Sequence, residues 1–254
     1  VIIEGAPALM HKSKIKCAKG GVISIQKHNQ CLESDGAVVL PVKEPAKQEI
    51  KKTEKNNDII NYQITQDFLT KNKYSRPKTP IIKVKGVVIH WVANAGSTAK
   101  QNRDYFESLK VGKKIYVKNE KNELIWNGKY VYASAHYIVD LDGSIIQALP
   151  EDEVAYHVGS EKYKKVVEER LENRPNSLTL GIEMTHIDNV GNFTNDTYRS
   201  TTILAAKLLA KYNLNPYKDL YRHYDITGKD CPKLFVTNTE KWLQFVKDVA
   251  DIME

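Results

Sequence analysis

Between Lys43 and Asp58 the chain reads KEPAKQEIKKTEKNND, a stretch in which Ile50 is the one large apolar side chain. Such a segment has nothing to bury and cannot enter a core, so it reads as a linker. It divides the chain into an N-terminal appendage (1–40), the charged linker itself (41–60) and a main domain (61–254). The 254 residues suffice for one ordinary domain plus such an appendage. At 41% hydrophobic and 9% aromatic the chain is no disordered polymer. Its apolar runs, such as Gly86–Val92, fall far short of the roughly 18 residues of a membrane span.

The 38 basic and 31 acidic side chains leave a net charge of +7, which favours anionic partners such as nucleic acid or the bacterial wall. The lysines are spread through linker and loops rather than gathered beside stacking aromatics, so no nucleic-acid partner is expected. Three cysteines, Cys17, Cys31 and Cys231, are an odd set and make no disulfide framework. The sequence opens on Val-Ile-Ile-Glu without the basic start and apolar core of a signal peptide. The expectation is export by another route, or an N-terminus that has been cut away.

In the main domain, IIKVKGVVIHW (Ile81–Trp91) is a β-branched run that suits a central strand ending near a histidine. Thr98 with Gln101 has the spacing of a capping box, opening a helix with Tyr105, Phe106 and Leu109 on one face. Ala133–Asp140 and Ser144–Leu149, joined by Leu-Asp-Gly, read as a hairpin. Leu178–Thr185 reads as another buried strand. A helix is expected from about Asn195 to Tyr212, stopped by Asn215-Pro216. A last helix, capped by Thr237 with Glu240, is expected to bury Trp242, Phe245, Val246, Val249 and Ile252. Strands interleaved with helices predict an α/β domain, a central mixed sheet flanked by helices, with a small β-rich appendage that includes the turn and strand of Cys17–Ile25.

His90, His223 and Cys231 are residues of metal-ligand type, too widely spaced for the paired knuckles of a structural zinc site. Three ligands with no fourth are the catalytic arrangement, which leaves one position for water; any one of them alone also fits a core or surface role. Glu183 lies in a strand that otherwise reads as buried, where a carboxylate is costly without a cation or donors, unless the strand is an edge with Glu183 on its open face. Lys229, two residues before Cys231, gains a role only if Cys231 binds a metal beside which an oxyanion develops.

VVIHWVANAG (Val87–Gly96), SAHYIVDLDGSIIQALPEDEVAYHVG (Ser134–Gly159), NSLTLGIEMTH (Asn176–His186) and HYDITGKDCP (His223–Pro232) follow in this order. Together they resemble the type 2 N-acetylmuramoyl-L-alanine amidases, a superfamily that takes in phage lysozyme-amidases and peptidoglycan recognition proteins. The resemblance covers about Tyr62 to the C-terminus. It implies a zinc enzyme, its Zn2+ at one edge of the sheet, that cuts the amide between N-acetylmuramic acid and L-alanine of the stem peptide in bacterial peptidoglycan. His90, His223 and Cys231 match the family's ligands, although some branches carry Asp in the third place. Glu183 matches the catalytic carboxylate of the endolysin and recycling branches, and Lys229 the lysine beside the third ligand. Where another branch has a catalytic tyrosine, this chain has Ala135. His136 and His157 are expected to line the substrate groove; His157, in AYHVG, matches a block the family places near the substrate, with a structural role equally open.

Gly5–Ile25 resembles the closing segment of PAAR-like domains, which sit on the spikes of contractile injection machines; the implied partner is such a spike, reached through the N-terminal segment. Cys17 would then be buried and structural, and a metal site from Cys17, His28 and Cys31 is not expected. Two rivals remain open for the main domain: a peptidoglycan-binding module without catalysis, and a cysteine hydrolase built on Cys231.

Overall fold

The computed structural model describes residues 63–254, together with the backbone of four short strands nearer the N-terminus. The chain forms two compact units, Val1–Ile50 and Lys51–Glu254. In the first, β1 (Ile2–Ile3) pairs antiparallel with β2 (Ala6–Pro7), and β3 (Lys14–Lys16) with β4 (Val22–Ser24). The expected boundaries at 40 and 60, the charged linker and the cysteines of the appendage lie outside the described residues.

The second unit is the expected α/β domain. Its sheet contains β5 (Ile64–Gln66), β6 (Gly86–Trp91), β9 (Tyr137–Val139), β10 (Ile145–Gln147), β11 (Thr179–Met184) and β12 (Leu220–Arg222) in the order β12-β6-β11-β9-β10-β5. The β9–β10 pair is antiparallel and the other neighbours are parallel, so the sheet is mixed. The hairpin between β9 and β10 turns on Gly143, whose φ of +81° is the left-handed region that glycine enters without steric cost.

Strand parity divides the sheet into two faces. Val87 and Ile89 of β6, with Leu180, Ile182 and Met184 of β11, pack against α4 (Asn195–Lys211) and α8 (Thr239–Met253) through Leu204, Leu208, Phe245 and Val249. The other face carries Val88, which packs with Val167 and Leu171 of α2 (Lys165–Leu171), while Phe106 of α1 (Ala99–Ser108) packs with Ile138 of β9. That second face also holds His90, Gly181 and Glu183. Helices therefore cover both faces, as buried strands of mostly parallel direction require.

Local chemistry sets the helix ends. The capping box at Thr98 forms as expected: its side chain accepts from Gln101 N–H at 3.2 Å and its own N–H donates to Gln101 Oε1 at 2.9 Å. Thr194 caps α4 by accepting from Thr197 N–H. The cap of α8 is Asn238, which accepts from Lys241 N–H at 3.0 Å, and not Thr237. Thr237 instead ends the short α7 (Lys233–Thr237), its hydroxyl donating back to Lys233 O. Ile252, expected in the core, is more than a third exposed, and its neighbour Met253 packs against the core instead. Tyr105 likewise faces outward from α1.

Besides α2 and α7, three short helices and an exposed hairpin were not foreseen. The helices are α3 (Pro175–Leu178), α5 (Pro216–Asp219) and α6 (His223–Thr227); the hairpin joins β7 (Lys114–Lys118) to β8 (Leu124–Tyr130). Among the described residues no helix is long and apolar enough to cross a membrane.

Candidate metal centre and active-site groove

The register of the sheet assembles the site. Glu183 of β11 pairs directly with His90 of β6, so both side chains emerge on the same face near the C-terminal ends of their strands. On the other side of β6, Arg222 pairs with Ile89, which brings His223, the first residue of α6, beside His90. The chain then turns through Gly228 and returns so that Cys231 O accepts from Tyr224 N–H at 2.9 Å, fixing the Cys231 backbone against α6.

The three expected ligands converge. His90 Nδ1 lies 3.1 Å from His223 Nδ1 and 3.8 Å from Cys231 Sγ, and the ligand atoms of all three are within 4.8 Å of one another. A tetrahedral zinc ion, with bonds of about 2.05 Å to nitrogen and about 2.3 Å to sulfur, holds nitrogens roughly 3.3 Å apart and nitrogen and sulfur roughly 3.6 Å apart. Two imidazoles and a thiol at these spacings fit zinc, and their softness disfavours magnesium or calcium. All three residues are buried. Burial, then the neighbouring His223 and His157, keeps His90 well below the usual histidine range, and burial with the Lys229 charge brings His223 down to about 4. Both are thus neutral at pH 7, the form a metal requires. Burial pushes the Cys231 thiol up to about 12, and the Glu183 carboxylate adds to that, so without a cation this sulfur is not an available nucleophile at neutral pH.

Glu183 does not sit on an open edge: β11 lies inside the sheet, between β6 and β9. Its Oε2 is buried and has no hydrogen-bond partner. Burial pushes the carboxyl up to about 8 while Lys229 pulls it the other way. A buried, unpartnered carboxyl beside three metal-type ligands is costly for the fold, a pattern found where chemistry rather than packing sets the residue. Lys229 is itself exposed and reaches the same groove.

The groove measures about 280 Å³. It is lined by His90, His223, Cys231, Glu183 and Lys229 together with the aromatic side chains of Phe106, Tyr132 and Tyr156. Tyr132 and Tyr156 meet edge to face, their centroids 5.5 Å apart. Phe106 was expected only as part of an apolar helix face, and Tyr132 and Tyr156 were not singled out, because the three come from a helix and two loops with no shared spacing.

The two remaining histidines part company. His157 borders the groove, and its Nδ1 lies 3.0 Å from His90 Nε2. His136 is fully buried and does not border the groove: its Nδ1 accepts from Gly181 N–H at 3.0 Å and its Nε2 donates to Glu153 O at 2.9 Å. Both nitrogens are used in joining β11 to the segment at Glu153, which leaves none for a substrate. Ala135, in the place of the tyrosine of another branch, is buried as well.

Residues 80–234 match the family Amidase_2, N-acetylmuramoyl-L-alanine amidase. The chain is 33% identical over 189 residues to N-acetylmuramoyl-L-alanine amidase BlyA of Bacillus subtilis (strain 168), covering 71% of this chain and 45% of that protein. It is 31% identical over 190 residues to a probable N-acetylmuramoyl-L-alanine amidase of Bacillus licheniformis, covering 75% of this chain and 48% of that one. The chain thus spans about half the length of these relatives. The catalytic domain of XlyA shares the fold, with a TM-score of 0.52 at 22% identity over 74% of this chain and 99% of that domain. With a family match across more than half its length and relatives above 30% identity, the chain belongs to the N-acetylmuramoyl-L-alanine amidase family.

Proposed function

We propose that this chain is a zinc-dependent peptidoglycan hydrolase that cleaves the amide between the lactyl group of N-acetylmuramic acid and L-alanine of the stem peptide. The observation that carries the reading is the buried His90–His223–Cys231 cluster with the unpartnered Glu183 carboxyl paired beside it. A binding module without catalysis has no use for a buried carboxyl that destabilises its own fold.

His90, His223 and Cys231 would hold the ion. The chemistry such an ion would supply there is Lewis acidity, which would lower the pKa of water and polarise a carbonyl oxygen. Glu183 takes a proton from the attacking water and returns it to the leaving amine nitrogen, base first and then acid. Lys229 opposes the effect of burial on Glu183 and so favours the carboxylate, the form that accepts a proton. Its ammonium also faces the negative charge that develops on the scissile carbonyl oxygen. Phe106, Tyr132 and Tyr156, which also line the groove, offer apolar surface to substrate.

The test is mass spectrometry of purified peptidoglycan incubated with zinc-loaded protein, beside a chelated sample. Free stem peptides beginning at L-alanine, with no new reducing ends, are expected only with zinc. Intact peptidoglycan that co-sediments with the protein would establish the binding module instead. The site of action is then the bacterial cell wall. From resemblance alone we read the appendage (1–40) and linker (41–60) as an attachment of the amidase domain (61–254) to an injection-system spike. Failure of the full chain to bind a purified spike tip would remove that part of the reading.

A further inference from the structure

We propose that His157 is a positioning residue for His90: its Nδ1 accepts a hydrogen bond from His90 Nε2–H and thereby fixes the tautomer whose bare Nδ1 faces His223 and Cys231. The proposal rests on the reading of those three residues as zinc ligands.

The argument is one of proton accounting. His157 Nε2 lies 3.3 Å from Thr179 O and 3.3 Å from Thr179 Oγ1. The carbonyl only accepts. The hydroxyl donates its one proton to Pro175 O at 2.7 Å, so towards His157 it too is an acceptor. His157 Nε2 must therefore carry the proton, and in a neutral ring this leaves Nδ1 bare. That Nδ1 lies 3.0 Å from His90 Nε2, which must then be the donor. His90, holding its proton on Nε2, turns a bare Nδ1 towards His223 Nδ1 and Cys231 Sγ. The tautomer of a metal-type ligand is thus set from a backbone carbonyl two rings away, the part that outer hydrogen bonds to ligating histidines play.

Two independent features hold His157 in that place. Its backbone N–H and that of Val158 both donate to Asn176 Oδ1, at 3.1 and 2.9 Å, which pins the loop. Its ring comes close against the bare backbone of Gly181: a Cβ there would stand 2.7 Å from His157 Nδ1 and 2.8 Å from Cγ. No side chain fits between, so the absence of one at Gly181 is what lets the ring reach His90. The nearby His136 ring, centroid 5.9 Å away, does not compete, since its only proton goes to Glu153 O.

Two measurements test this. Long-range proton–nitrogen NMR of the wild-type protein, metal-free and zinc-loaded, should show both His157 and His90 protonated at Nε2; a His157 ring protonated at Nδ1 overturns the proposal. Zinc affinity, read by competition with a chromophoric chelator, should fall roughly 10- to 100-fold in His157→Phe, which keeps a ring without an acceptor. His157→Asn, whose Oδ1 stands near the place of Nδ1, should restore most of the affinity. Gly181→Ala should weaken zinc binding as His157→Phe does. Wild-type affinity in His157→Phe also overturns the proposal. A wild-type protein that takes up no zinc removes the underlying reading of the metal centre as well, a result distinct from unchanged affinity in the variant.

Discussion

Replacing Arg76 by methionine tests how a largely buried ion pair ties two distant segments of the domain together. Arg76 Nε and Nη2 donate to the two carboxylate oxygens of Glu153, each at 2.8 Å, and Nη1 donates to Leu69 O at 2.6 Å. The two side chains are 12% and 14% exposed, so the pair is nearer a buried than a surface ion pair. It joins the segment at Leu69 to the one whose Glu153 carbonyl accepts from His136. Removing one partner of a buried pair costs about 3–5 kcal/mol, and residual water access here lowers that to about 2–4 kcal/mol. The Arg76 guanidinium also lies 5.3 Å from the Phe68 ring centroid, and methionine loses that cation–π contact as well, about 0.5–1 kcal/mol.

The assay is urea unfolding of wild type, Arg76→Met, Glu153→Gln and the double variant, all with excess chelator so that metal linkage does not contribute. The single Arg76→Met should lose about 2–4 kcal/mol, and the double variant should fall short of the summed single losses by about 1.5 kcal/mol or more, since no charge is left stranded. The pH dependence carries a second check. The hydrogen bond from Arg76 holds the Glu153 carboxyl below its ordinary value of 4.5, against the opposing effect of burial. A depressed folded-state pKa means stability present above the unfolded value and lost as pH falls. The gap between wild type and Arg76→Met should therefore be full above about pH 4.5 and narrow below it. Additive losses within about 0.5 kcal/mol, or a gap that does not change with pH, would refute the reasoning.

The chemistry makes its own predictions. Glu183→Gln should lose roughly 10²–10⁴-fold in kcat on peptidoglycan while binding zinc normally; near wild-type turnover would take Glu183 out of the mechanism. Cys231→Ser should hold less than one zinc per chain by elemental analysis, and full retention would overturn its assignment as a ligand. Chelation should abolish hydrolysis and added zinc should restore it; activity that survives exhaustive chelation contradicts zinc dependence. Phe245, fully buried with its ring centroid 5.1 Å from Phe235 and 5.4 Å from Tyr198, should cost about 3–5 kcal/mol when cut to alanine. A loss below about 1 kcal/mol in urea unfolding would show that α8 packs less tightly than its contacts indicate.

Much of the fold was legible because its signals are local. The β-branched run at Val87–Trp91, the Thr98–Gln101 capping box, the Asp-Gly turn before Ser144 and the apolar stripe of α4 each report a backbone period or a cap within a few residues. The misplaced cap at Thr237 shows the limit of such signals. Thr237 and Asn238 are both good caps, and the choice between them follows from α7, which takes up the Thr237 hydroxyl for its own end. The β7–β8 hairpin was hidden for a related reason: its strands are exposed and show little of the alternation that a buried face imposes.

The sequence by itself determined the residue chemistry of the site, two imidazoles, a thiol, a carboxylate and an ammonium, and the strand parity that sets His90 and Glu183 each opposite an apolar neighbour. Only the tertiary structure decided which of these meet. That β11 is an interior strand, which turns Glu183 from a solvated edge residue into a buried and unpartnered carboxyl, follows from strand order, and periodicity within one strand carries no information about its neighbours. The same holds for the two histidines read alike from their blocks. His136 spends both nitrogens on backbone groups of distant segments, whereas His157 meets His90 because Gly181, across an entire loop and helix, leaves room for its ring. A histidine's role is set by what lies within about 3 Å of each nitrogen, and that distance is fixed by packing between elements, not by the residues beside it in the chain.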